Sequence, residues 1–104
     1  VVVMGHESCG AVQAAQAVVE DNARFPGYID DMIQPIVPAV LDVRDDQGKT
    51  KTEDAVRQNV RRVVHKLRNE ADPLLLEPQR DGRVKVVGAY YDLDDGRADF
   101  FDRV

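Results

Sequence analysis

His6 and Cys9 stand three positions apart within Gly5-His6-Glu7-Ser8-Cys9-Gly10. Imidazole nitrogen and thiolate sulfur are both good zinc donors, and a short loop can aim the two at one ion. Spacing alone leaves the pair short of a site. Zinc takes at least three protein ligands, and a free cysteine beside a histidine is more often an inert thiol in a buried turn. Cys9 is the only cysteine in the chain, so an intrachain disulfide is excluded and the redox compartment is not legible from cysteine usage. Between the two donors, Glu7 and Ser8 read as loop geometry, while Gly5 and Gly10 read as positions of tight backbone packing around a metal. His65 lies among Arg62, Lys66 and Arg68 and reads as part of a solvated helix face rather than a proton shuttle. The acidic pairs Asp30-Asp31, Asp45-Asp46 and Asp94-Asp95 lack the spacing of a calcium loop and read as solvated.

The elements around this pair set where it can sit. Val1 to Met4 is a continuous apolar run ended by Gly5, the pattern of an interior parallel strand buried on both faces. Cys9 to Glu20 is rich in alanine and free of proline, which favours a helix. The order strand, tight loop, helix puts His6 and Cys9 at the carboxyl end of a strand, where open α/β sheets bind ligands. From Tyr28 to Leu41 apolar residues recur at helical spacing, and Pro35 and Pro38 imply two short helices or one bent one. Residues 44–52 are polar, contain Gly48 and read as a loop. Val56, Val60, Val63, Val64 and Leu67 form one apolar face of a helix that should cover a sheet, with Thr50 or Thr52 as its cap and Glu53 and Asp54 at its positive end. Pro73 ends it, and Leu74 to Leu76 start a further short turn of helix. Val84 to Tyr91 reads as a second buried strand, with Tyr90 and Tyr91 on opposite faces and both in core packing. A turn at residues 92–96 and a third strand at residues 98–101 follow, and so short a turn implies an antiparallel edge strand.

At 104 residues with 43% hydrophobic and 32% charged residues, the composition is that of a globular domain, or part of one, with a modest core. Net charge is -5 and the 14 basic residues are spread along the sequence, which gives no footprint for nucleic acid. No apolar run reaches the roughly 18 residues needed to span a bilayer, so a membrane partner is not expected. Val1 stands inside a core-type run, from which the expectation is a chain truncated at its N-terminus.

The run Val3-Met4-Gly5-His6-Glu7-Ser8-Cys9-Gly10-Ala11-Val12 resembles the second zinc-ligand motif of β-class carbonic anhydrases. Val86-Val87-Gly88-Ala89-Tyr90-Tyr91-Asp92-Leu93-Asp94 with Gly96 is similar to that family's late strand and turn, and Asn59 and Val60 within a long helix suit the same pattern. The resemblance covers essentially the whole chain. It implies that residues 1–104 are the C-terminal part of a single β-carbonic-anhydrase-like domain. The implied fold is α/β, a mostly parallel sheet flanked by helices with an antiparallel edge strand. The implied function is that of a zinc lyase, a carbonate dehydratase in which a zinc-bound hydroxide converts carbon dioxide to bicarbonate, with His6 and Cys9 as metal ligands. It further implies a homodimer or higher homo-oligomer, and a cytoplasmic location is expected. The family's first motif, Cys-x-Asp-x-Arg, has no counterpart in these residues. The third protein ligand and the catalytic Asp-Arg pair are therefore expected upstream, and the chain by itself contains no complete site. Two alternatives stand beside this reading: a noncatalytic remnant or assembly module of the same fold, and a related zinc enzyme acting on another small substrate resembling carbon dioxide, such as carbon disulfide.

Overall fold

The computed structural model describes residues 1–103. Three strands, β1 (Val2–His6), β2 (Val87–Tyr91) and β3 (Ala98–Asp102), form one sheet in the order β1-β2-β3. β1 and β2 are parallel, from Val2 opposite Val87 to His6 opposite Tyr91, and β3 runs antiparallel to β2 with an irregular register between Gly88 and Tyr90. Parallel neighbours require a crossover. Here the crossover carries five α-helices: α1 (Gly10–Asp21), α2 (Tyr28–Ile33), α3 (Val37–Val43), α4 (Thr52–Asn69) and α5 (Pro73–Arg80). The mixed α/β architecture with an antiparallel edge strand is the one expected. None of the described helices is long and apolar enough to cross a membrane.

α4 is the element on which the rest is built. Its buried residues Ala55, Val56, Val60 and Val64 recur at helical spacing and face the sheet, while α1 and α3 pack onto α4 and onto each other. Ala55 and Val56 pack with Val12 and Ala15 of α1, Ile33 of α2, Val40 of α3 and Tyr90 of β2, while Val60 and Val64 form a second cluster with Val86. Two strand positions that approach α4 closely are glycines. A Cβ added at Gly5 would lie 2.5 Å from Val56 Cγ1, and one added at Gly88 would lie 2.7 Å from Val60 Cγ1. Gly5 is thus required by helix packing, the tight approach expected there being made to α4. Among the described residues a Cβ at Gly10 would meet nothing within 4 Å, so they do not make the tight packing expected at that position.

Several sequence expectations change in detail, each for a local reason. Val2 and Met4 are both 49% exposed, because α4 covers only the face that carries Val3 and Gly5, and side chains alternate along a strand. Burial of β1 on both faces is therefore not achieved within these residues. Tyr28 to Leu41 resolves into α2, a single 3₁₀ turn at Gln34–Ile36 and α3; Pro35 cannot donate to a continuous ladder, whereas Pro38 falls in the first turn of α3, where no donor is needed. Neither Thr50 nor Thr52 caps α4, whose N-cap residue is Lys51 with no side-chain bond. Both hydroxyls are taken by Gln16, which is 8% exposed and needs partners. Its Nε2 donates to Thr50 Oγ1 at 2.9 Å, and Thr52 Oγ1 donates to its Oε1 at 2.9 Å.

α5 runs for eight residues rather than a single turn, because Asp72 accepts from the Leu74 amide at 2.9 Å and Pro73 opens the helix. The ladder of β2 begins at Val87 and not at Val84. The Val86 carbonyl instead accepts from the Arg68 guanidinium, at 2.7 Å from Nη2, and Arg68 Nη1 also reaches Asp102 at 3.0 Å. Tyr90 is in the core, 7% exposed with the Arg57 guanidinium 4.5 Å from its ring centroid. Tyr91 points to the other face and is only half-buried. Burial raises the pKa of the Tyr90 hydroxyl, and the charges of Glu53 and Glu7 push the same way.

Candidate metal centre

The parallel register aligns the carboxyl ends of β1 and β2, and so sets the loop Glu7–Cys9 beside the turn that begins at Asp92. Two hydrogen bonds lock the pair together. The Glu7 amide donates to the Tyr91 carbonyl at 2.9 Å, extending the ladder by one step, and the Leu93 amide donates to Glu7 Oε1 at 3.0 Å. Glu7, read from sequence as loop geometry, is thus the side chain that joins the two loops. Ser8 then takes φ 56°, a left-handed conformation that costs a non-glycine residue about 1–2 kcal/mol. That reversal lets Cys9, at φ −62° and ψ 116°, serve as the N-cap residue of α1.

His6 ends β1 and is exposed, and Cys9 is half-buried with a free thiol. The Cys9 side chain makes no capping bond to α1, although its carbonyl accepts from the Gln13 amide at 3.0 Å. The positive end of the α1 dipole is therefore presented at the sulfur-bearing residue. His6 Nδ1 lies 3.0 Å from the Glu7 carbonyl oxygen. A carbonyl only accepts, so this contact places the ring proton on Nδ1 and leaves the Nε2 lone pair open for a ligand, the arrangement found around metal-bound histidines. As donors, an open imidazole nitrogen and an uncommitted thiol fit zinc. They supply two ligands. Among the described residues no third His, Cys, Asp or Glu joins them in a cluster.

The one group of three potential ligands among the described residues is Glu7, Asp92 and Asp94. Sequence inspection had no means of joining residues 85 positions apart, and Asp94 read as solvated. Two of these carboxylates already serve the chain: Glu7 Oε1 accepts from Leu93, and Asp92 Oδ1 accepts from the Asp94 amide at 2.8 Å. The cluster is explained by turn construction. His65 lies apart from this end of the sheet. It is exposed on α4 with Nδ1 3.2 Å from Asn69 Nδ2, as expected of a solvated face.

The sheet order and the helices that cross over it are those of the β-carbonic anhydrase fold. One of the tetrameric β-carbonic anhydrases of Sordaria macrospora superposes with a TM-score of 0.74 over 96% of this chain and 50% of that one, at 20% identity. The β-carbonic anhydrase CcaA superposes with a TM-score of 0.69 over 99% of this chain and 50% of that one, at 19% identity. In sequence, the family model described as carbonic anhydrase matches residues 1–98. Carbonic anhydrase 2 of Mycobacterium tuberculosis is 36% identical over 104 residues, covering 100% of this chain and 49% of that protein. A carbonic anhydrase of Mycolicibacterium smegmatis is 28% identical over 99 residues, covering 95% and 47%. The chain belongs to the carbonic anhydrase family, and its fold is that of the β class. It spans about half the length of the curated relatives it matches.

Proposed function

We propose that His6 and Cys9 are zinc ligands of a β-class carbonic anhydrase that interconverts carbon dioxide and bicarbonate. The observation that carries this reading is the Gly5-to-Gly10 loop, with an open Nε2 and an uncommitted thiol, at the carboxyl end of a parallel strand on this fold. Exposure of His6 and partial exposure of Cys9 speak against the alternative of a buried, inert thiol. Zinc bound there supplies a Lewis acid that makes water a nucleophile near neutral pH.

The chain's own residues hold and orient. The Glu7 carbonyl fixes the His6 tautomer, the Glu7 carboxylate anchors the loop to Leu93, and the Ser8 reversal leads into Cys9 at the N-cap of α1. The remaining protein donors of a four-coordinate site come from outside residues 1–103, in the same protein or in a partner copy. A homo-oligomer is part of the proposal, supported by the tetrameric β-carbonic anhydrases of Sordaria macrospora.

The test is stopped-flow hydration of carbon dioxide by the native zinc-loaded protein and by its His6→Ala and Cys9→Ser variants. Both variants should lose more activity than the about 10–100-fold that follows loss of an outer partner of a metal ligand. Full activity in either would reject the assignment. A wild-type protein that binds zinc but does not hydrate carbon dioxide would reject the reaction and leave the ligands standing.

A further inference from the structure

Along α4, Gln58, Arg61, Arg62, His65, Lys66 and Asn69 recur at alternating steps of three and one, which stacks them in one stripe. The stripe forms one wall of a groove of about 460 Å³. It contains no carboxylate, in a chain whose net charge is -5, and with Gln58 Nε2 committed to Asp42 and Asn69 Nδ2 to the His65 carbonyl its open donors are those of its cations. With Arg68, four fixed cations line the groove against two carboxylates, Glu70 and Asp102. Basic residues that look scattered in sequence are therefore gathered here by the helix.

Two of the four cations are already answered. Arg68 pairs with Asp102 at 3.0 Å, and Arg62 pairs with Asp42 at 2.8 Å, which together with a Gln58 hydrogen bond holds the Asp42 carboxyl below its ordinary pKa. Arg61 and Lys66 form no ion pair among the described residues. Arg61 is nonetheless held in place, its guanidinium 5.0 Å from the Phe101 ring centroid.

We propose that this groove binds a phosphate dianion, either free or as the phosphoryl group of a small monoester, with Arg61 as its principal contact and Lys66, at the other edge of the stripe, as a longer-range charge. A stacked guanidinium presents its fork to two phosphate oxygens, and a lysine adds a mobile point charge. The volume lies within the about 300–1,000 Å³ of small-molecule sites and leaves room for the organic part of a monoester. The groove lies toward the amino end of β2, where Arg68 holds Val86 and Asp102, whereas His6 pairs with Tyr91 at the carboxyl end. Binding here is accordingly independent of the zinc assignment.

The test is calorimetric titration of the native protein at constant chloride, with inorganic phosphate in one arm and glycerol 3-phosphate in the other. Amide chemical shifts are followed in parallel. The expected result is a dissociation constant of about 1 mM or tighter, with shifts concentrated at residues 58–69. The double variant Arg61→Gln/Lys66→Gln should weaken it by about tenfold or more, and Lys49→Gln, which removes an exposed charge elsewhere, should leave it unchanged. The tighter of the two arms identifies free phosphate or a monoester as the natural class. No saturable binding in either arm below about 10 mM, shifts mapping elsewhere, or equal weakening by Lys49→Gln would overturn the proposal. Should the double variant fold poorly, the shift map of the wild type decides alone.

Discussion

Replacing Gly5 by alanine tests the close approach of β1 to α4 and, through it, the placement of His6. The new Cβ would stand 2.5 Å from Val56 Cγ1 and 2.9 Å from Val60 Cγ2, against the roughly 3.5–4.0 Å of an ordinary carbon contact. Strand and helix must therefore separate by roughly 1 Å. Val56 and Val60 are 2% and 3% exposed, and a β-branched side chain in a helix has essentially one χ1 available, so neither can turn aside. Overpacking of this kind costs about 1–3 kcal/mol. The measurement is urea unfolding of the native protein at fixed protein and zinc concentration, since both shift apparent stability. Val56→Ala removes the nearer of the two offending methyl groups, so the Gly5→Ala/Val56→Ala pair should lose less than the sum of the two single losses, with a coupling of about 0.5–3 kcal/mol. A Gly5→Ala protein within about 0.5 kcal/mol of wild type, or strict additivity with Val56→Ala, would refute the packing argument.

Two further predictions follow from hydrogen bonds on α1, α3 and α4. Gln16→Leu strips the partners from the Thr50 and Thr52 hydroxyls and should destabilise the fold by about 1–3 kcal/mol, seen as a lower urea midpoint; an unchanged midpoint would show that water replaces the bridge. Asp42 has its pKa lowered from 3.8 by the Gln58 hydrogen bond and then by Arg62. A carboxyl whose folded pKa is depressed stabilises the fold above its unfolded value, and that stability is lost as pH falls through the lower folded value. The loss should therefore appear below pH 3.8. Since both partners are more than a third exposed, it should amount to no more than about 1 kcal/mol. Urea midpoints of wild type and Asp42→Asn should differ at about pH 6 and converge toward about pH 2; a constant difference across that range would refute the linkage.

The elements were legible where a single physical rule decided them. The α4 stripe of Val56, Val60 and Val64 is a plain helical period, and the residue 92–96 turn is too short to join anything but antiparallel neighbours. What sequence could not give were the choices between competing partners. Thr50 and Thr52 are good capping residues, yet Gln16, distant in sequence, takes both. Val84 and Val86 have strand-forming side chains, but the ladder starts where β1 supplies a neighbour and Arg68 claims the Val86 carbonyl first. At the candidate site, His6 and Cys9 were visible from their types and spacing. Three features were not: the Glu7 anchor to Leu93, the Ser8 reversal, and the Nδ1 contact that opens Nε2. The first depends on the parallel pairing of strands more than 80 residues apart, and the other two on local backbone conformation that composition does not specify.

The central claim is that His6 and Cys9 together hold zinc, and metal content measures it directly. The native protein, purified without chelator, should carry about one zinc per subunit at neutral pH, and Cys9→Ser, assayed at the same concentration, should lose most of it. Wild-type zinc should also be released progressively as pH falls, because imidazole and thiolate must give up their protons to bind. A folded Cys9→Ser protein that retains one zinc per subunit would contradict the account.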